Sequence, residues 1–274
     1  DTAGNAATAD TGDTFVYDKT VPTMTISSTT VSSGATSNDA TIALAFTSSE
    51  STTDLVSGDV TLSAGSIGST FAGSGTGYTA TFTPGGDATF TISIAAGKFT
   101  DAAGNSNSVS NSFTWTYDST ALTMTIASST NGVTSGSTTN DGSIAVTFTT
   151  SESTTGFAAD DVVVSGGTLS SFAGSGTDYT ATFTPSADGL TTIDVAANKF
   201  ADGAGNTNTA ATQFAWTYDG TGPTVAITSS ASNPASSSTI AVTITFSEST
   251  SNFVNTDLTL SGATSSLSGS GTTY

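Results

Sequence analysis

The sequence contains no cysteine, no histidine and no arginine, and its only basic residues are Lys19, Lys98 and Lys199. Without cysteine there is no disulfide framework and no thiol chemistry. Without histidine or cysteine, neither a Ser–His–Asp nor a Cys–His catalytic arrangement can be built. Zinc loses its preferred ligands for the same reason. Against the three lysines stand 22 acidic residues, for a formal net charge of −19. Nothing is on hand to neutralise phosphates, so nucleic acid is excluded as a partner. No apolar run approaches the roughly 18 residues of a membrane span, and none is expected in this stretch.

What remains is rich in Ser, Thr and Gly, a composition that can signal disorder. Here, however, 35% of the residues are apolar, and they alternate with hydroxyl residues in the two-residue period of half-buried strands. PTMTISS (22–28), TIALAFTSS (41–49), DVTLS (59–63), a short segment near STFAG, GYTATFTP (77–84), ATFTISIAA (88–96) and SNSFTWTYD (110–118) give seven predicted strands. No stretch reads as an amphipathic helix. Seven short strands in about 100 residues predict an all-β, immunoglobulin-like sandwich without the Cys–Trp–Cys pattern of antibody domains. Phe113, Trp115 and Tyr117 share one face of the last strand, as do Phe214, Trp216 and Tyr218. Core packing is the plain account of these rows, and a carbohydrate-binding platform is the alternative.

The pattern repeats. Tyr17, Tyr117 and Tyr218 are 100 and 101 residues apart, and FAGSGTGYTATFTP at Phe71 returns as FAGSGTDYTATFTP at Phe172. A period this long describes a tandem array of whole domains in place of solenoid turns. The expected units are the last strand of a preceding repeat at 1–17, repeats at 18–117 and 118–218, and a partial repeat at 219–274. The chain opens inside a repeat without a Met and stops at Tyr274 where the sister copies continue TATFTP. It is therefore read as an excerpt of a longer protein. Successive repeats nearly abut, with no Gly/Ser linker between them.

The acids recur at fixed places. Asp18, Asp118 and Asp219 stand at the joints. Glu50, Glu152 and Glu248 each sit in Ser-Glu-Ser after the second predicted strand, and Asp59, Asp161 and Asp257 follow nine residues later. Asp1, Asp101 and Asp202 precede the last strand, each followed four residues on by Asn5, Asn105 or Asn206. In a sandwich traversed alternately down and up, these positions converge at the pole facing the preceding domain. A bare cluster would repel itself. Calcium, which takes six to eight oxygens in forgiving geometry, removes the repulsion. The predicted metal ligands are Asp18, Glu50, Asp59, Asp101, Asn105, Asp118, Glu152, Asp161, Asp202, Asn206, Asp219, Glu248 and Asp257. The competing account is turn chemistry, which favours Asp, Asn and Gly on its own. It does not explain the glutamates or the joint aspartates. Asp39, Asp141, Asp87 and Asp188 fall at the opposite pole and could add ligands to the next joint.

The joined pattern of Ser-Glu, Phe-x-x-x-Asp, Thr-Phe-Thr-Pro and Asp-x-Ala-Gly-Asn, as in VTFTTSESTTGFAADDVVVSGG through KFADGAGNTNTA, resembles the bacterial Ig-like repeats of giant surface adhesins. The resemblance covers nearly the whole chain and implies secretion, display on the bacterial cell surface, long stalks of tandem domains, and calcium at or near domain junctions. Phe15 stands where Trp115 and Trp216 do, and Asp59 follows SG where Asp161 follows AAD; neither change removes a predicted ligand.

Enzyme readings fare poorly. GSGTG (73–77) lacks the helix and Lys of a phosphate loop and reads as a turn between strands. Paired carboxylates could suggest a glycosidase, yet the same cluster at every covered pole makes a poor cleft. A Lys–Asn isopeptide at Lys98 or Lys199 competes with a solvent-facing lysine, which is the simpler account. The expected function is a calcium-stiffened stalk whose partners are the neighbouring repeats. The alternative is a segment of a self-assembling surface layer or extracellular filament, whose partners would be other copies of the chain.

Overall fold

The structure is a computed structural model that describes residues 2–6, 12, 14, 16–233 and 235–274. Of the strand expected at the end of 1–17, Phe15 lies outside the described residues, as does Asp1. Val16 and Tyr17 are in no strand and are 93% and 80% exposed.

In the first repeat the strands are β1 (Met24–Ser28), β2 (Thr36–Ser37), β3 (Ile42–Thr52), β4 (Val60–Leu62), β5 (Ala72–Phe82), β6 (Ala88–Ile94) and β7 (Phe113–Tyr117). The strand expected near STFAG is a 3-10 turn, Gly68–Thr70, that runs into β5, and β2 falls outside the alternating segments. One sheet runs β1-β3-β5 and the other β2-β7-β6-β4. All pairings are antiparallel except β2 on β7. The second repeat has the same plan in β8 (Met124–Ser128), β9 (Thr138–Thr139), β10 (Ile144–Thr155), β11 (Val162–Ser165), β12 (Gly167–Pro185), β13 (Gly189–Val195), β14 (Ala201–Asp202) and β15 (Phe214–Tyr218). The short β14 adds to β10. The third repeat contributes β16 (Val225–Ser229), β17 (Val242–Thr250) and β18 (Gly271–Thr273) in one sheet. The fold is nearly all-β, and no helix among the described residues is long and apolar enough to cross a membrane.

Alternation delivers the core. Met24, Ile26, Ile42, Leu44 and Phe46 from one sheet meet Phe90, Ile92, Ile94, Phe113 and Trp115 from the other, all nearly fully buried. Each such large side chain contributes about 1.5–3 kcal/mol of burial. Trp115 and Trp216 are 0% exposed, so the aromatic rows are core, and the carbohydrate-platform alternative fails for them. Burial obliges each indole N–H to find an acceptor. Trp115 Nε1 donates to Ser37 Oγ and Trp216 Nε1 to Thr139 Oγ1, both at 3.0 Å, which places β2 and β9 beside the last strand.

GSGTG turns the chain back on itself within β5. Ser66 and Thr83 exchange both backbone hydrogen bonds, and a Cβ on Gly73, at φ +142°, would lie 2.3 Å from the Gly77 carbonyl oxygen. Only a residue without a side chain fits there.

Candidate metal centre

The sequence pattern places Glu50 beyond the second predicted strand, but it stands inside β3, on a bulge. Between the pairs Thr47↔Gly77 and Thr52↔Gly75, β3 advances five residues while β5 advances two. The surplus segment carries Glu50 out of the ladder, the usual effect of a bulge on a side chain. β10 does the same between Thr149↔Asp178 and Thr154↔Gly176, carrying Glu152, and β17 between Thr245↔Thr273 and Thr250↔Gly271, carrying Glu248.

Asp101 is presented by the long β6–β7 connection. Its Oδ1 accepts the N–H groups of Ala103 (2.9 Å) and Asn105 (2.8 Å), and its Oδ2 accepts Asn105 Nδ2 (2.8 Å). Asn107, 2% exposed, fastens the base of that loop. Its Oδ1 accepts from Lys98 and Phe99 N–H, and its Nδ2 donates to the Ala95 and Ser108 carbonyls. Asp202, Asn206 and Asn208 repeat this arrangement.

The two loops and the joint meet at the upstream pole. Carboxylate oxygens of Asp18, Glu50 and Asp101 lie within 4.8 Å of one another, as do those of Asp118, Glu152 and Asp202. Asp101 and Asp202 are buried, at 8% and 5% exposure, and the other four acids are half-buried. Burial raises the Glu50 carboxyl above its ordinary value, and the charges of Asp18 and Asp101 push it further the same way. Glu152 is raised by burial, then by Asp118, Asp202 and Asp87. Asp101 is held below the ordinary value, chiefly by the Asn105 amide, against the opposing effect of burial.

These residues fit a hard cation. Glu50 Oε1 is buried and has no hydrogen-bond partner. The three carboxylate oxygens lie within 4.8 Å of one another, close enough for a large cation such as calcium, with oxygen distances of about 2.3–2.6 Å, to bridge them.

Not every predicted ligand arrives. Asp59 Oδ2 accepts Val56 N–H at 3.0 Å and caps a three-residue 3-10 turn; Asp161 and Asp257 do the same for Ala158 and Val254. None of the three joins a carboxylate group among the described residues. Asn105 and Asn206 do reach the site, but they turn donors toward it. Asn105 Nδ2 points at Asp101 Oδ2 and the Asp18 carbonyl, and Asn206 Nδ2 at Asp202 Oδ2 and the Asp118 carbonyl. They brace the carboxylates. Asp219 and Glu248 belong to no group among the described residues, and the third repeat's 56 residues include no counterpart of the Asp101 loop.

Asp87 and Asp188 clip the joints from the other side. Asp87 accepts Ser119 N–H (2.9 Å), Ser119 Oγ (2.7 Å) and Thr120 Oγ1 (2.9 Å). Asp188 accepts Gly220 N–H and the Thr221 hydroxyl. Asp141 is taken up by the Thr139 hydroxyl at 2.6 Å. Lys98 and Lys199 are exposed, as the simpler account has it. Asp54, which no pattern in the sequence marks, accepts Thr100 N–H and Oγ1 and holds the Asp101 loop to the end of β3. In the second repeat the β14–β10 ladder does that work, so no recurrence marked Asp54 out.

The tandem β-sandwich repeats define the class of protein. The chain belongs to the bacterial Ig-like domain family, whose model matches residues 18–117, 118–218 and 219–274. Among solved structures it is similar to the Escherichia coli adhesin FdeC, with 16% identity over 82% of this chain and 72% of that one and a TM-score of 0.33. It is also similar to Yersinia pseudotuberculosis InvD, with 16% identity over 83% and 69% and a TM-score of 0.35. The C-terminal domain of the Streptococcus agalactiae AgI/II polypeptide BspA is a third, at 8% identity over 72% and 99% with a TM-score of 0.34. No curated protein matches the chain.

Proposed function

We propose that the chain is a structural extender, a run of Ig-like domains whose junctions calcium stiffens, in the stalk of a large adhesin on the outer surface of a bacterial cell. The observation that carries this reading is how the ligands at one junction divide between domains. Asp118 is tied to the first repeat through its N–H to the Ser37 carbonyl (3.2 Å), and Ser119 and Thr120 are tied there through Asp87. Glu152 and Asp202 belong to the second repeat. One ion shared by the three joins two bodies and offsets repulsion that the metal-free site must bear. Water and carbonyl oxygens fill the rest of a calcium shell. Extracellular calcium modules bind at about 0.1–1 mM, so free calcium at ten to a hundred times that constant stabilises each site by roughly 1.4–2.7 kcal/mol. That is modest for a domain and sufficient for a joint angle.

Small-angle scattering in millimolar calcium and then in excess chelator tests the reading. The expected result is a maximum dimension that falls on chelation while the sandwiches stay folded. A profile indifferent to calcium sinks it. Particles that grow with protein concentration and calcium together would assign the chain to a lattice or filament.

A further inference from the structure

We propose that Asn38, a residue of the first repeat, is a positioning residue for the metal site of the second. It sets how one domain sits on the next and thereby holds Asp118 and Asp202 in register. This rests on the calcium reading of that site. Asn38 follows β2 at the downstream pole. Its N–H donates to the Ala204 carbonyl at 3.0 Å, and its Nδ2 donates to Asn206 Oδ1 at 3.2 Å. A Cβ on Gly205 would lie 3.4 Å from Asn38 Oδ1, so the two poles are in contact.

The Asn206 amide transmits the contact. Its Nδ2 faces two atoms that can only accept, the Asp118 carbonyl (3.0 Å) and Asp202 Oδ2 (3.0 Å). That fixes the amide's orientation and leaves Oδ1 for Asn38. A single side chain therefore links the first repeat to the backbone of one predicted ligand and the carboxylate of another. Asn38 itself touches neither carboxylate.

The chain contains its own comparison. In the first repeat nothing among the described residues lies within 4 Å of a Cβ on Gly104, Ala103 is exposed and Asn105 is half-buried. At the second junction Ala204 and Asn206 are each only 8% exposed. The bond from Asn105 Nδ2 to the Asp18 carbonyl is also longer, 3.3 Å against 3.0 Å. Asn140 stands 12 residues before Glu152 as Asn38 does before Glu50, whereas the same count back from Glu248 reaches Ser236. The first two repeats thus carry an Asn at this position and the third a Ser.

The test uses the full chain with Glu50→Gln, which silences the first site so that calorimetric titration with calcium reads the second. Asn38→Ala is compared with Asn140→Ala, whose downstream loop is not in the chain. The expected result is calcium binding about 3- to 10-fold weaker for Asn38→Ala, with the same melting midpoint as Asn140→Ala. A purely local role for Asn38 would move the midpoint and leave the affinity alone. Equal affinities overturn this proposal and leave the calcium reading standing. An unsubstituted chain that binds no calcium overturns the calcium reading, and this proposal with it.

Discussion

Glu50 and Glu152 face two difficulties at once: burial strips water from their carboxylates, and aspartates stand beside them. Both carboxyls are raised above the ordinary 4.5, so without metal the folded state holds these protons more tightly than the unfolded chain does. Their contribution to stability is complete below pH 4.5 and is lost as pH rises through the raised folded value. Asp101 runs the other way, because its folded value lies below 3.8. Its contribution is present above 3.8 and is lost as pH falls through the lowered value. In chelator, the melting midpoint should therefore decline from about pH 4.5 toward neutrality, and fall again in strong acid. Glu50→Gln with Glu152→Gln should flatten the upper limb and leave the acid limb in place. Trp115 and Trp216, one buried in each complete repeat, give the fluorescence signal for the measurement. An upper limb that persists in the double variant would mean that these glutamates are not the strained groups.

At the scale of the element, the bulge on β3 and the turn at GSGTG make up one device, since the strand that carries Glu50 is paired with the chain that turns at Gly73. Gly73→Ala puts a methyl 2.3 Å from the Gly77 oxygen and 2.6 Å from Tyr78 Cα, both backbone atoms that cannot step aside. Gly75→Ala, at φ +65°, meets only Ser51 Oγ at 3.5 Å. We expect the first change to cost more than about 2 kcal/mol and the second about 1, read as thermal shifts of the repeat containing Trp115. Equal shifts would mean that the turn relaxes freely. Much of this architecture is legible in the alternation, which marks the long strands and the turn between them. β2 is not, because two residues beside Gly34 and Asn38 show no period. Its presence follows instead from the buried indole N–H that needs Ser37. Recurrence found the acids but could not sort them. Asp59 and Glu50 recur equally well, yet one caps a 3-10 turn three residues behind it and the other rides a bulge. Asp54 acts in one repeat only, where internal repetition carries no signal. Asn38 does recur, as Asn140, but its partners lie across a joint, which spacing within a repeat does not reveal.

For the molecule as a whole, a metal can fix a joint only if its ligands are fixed to the two bodies being joined. Asp118 meets that condition through the first repeat's downstream pole. Ser37 takes its N–H, and Asp87 takes Ser119 and Thr120 just beyond it. Hydrogen bonds from Ser119, then Thr120, hold the Asp87 carboxyl below 3.8, so this clip is present above that value and is lost only as pH falls through the lowered one. It needs no calcium. Asp87→Ala should therefore separate binding from stiffening. The three carboxylates at 118, 152 and 202 remain, and removing a charge that pushes Glu152 upward relieves part of their repulsion. Calcium affinity at that site should change by less than about threefold, roughly half a typical net hydrogen bond. The bound ion would then hold the second repeat to a joint segment tied to the first by little more than the Ser37 bond and the Asn38 bridge. Scattering in saturating calcium should show Asp87→Ala shortened toward the dimension of the chelated parent, with its titration curve nearly unmoved. If the variant stays as extended as the parent in calcium, the Ser37 bond and the Asn38 bridge suffice to hold the joint. If it loses calcium binding altogether, Asp87 is part of the site and the separation between clip and metal centre is wrong.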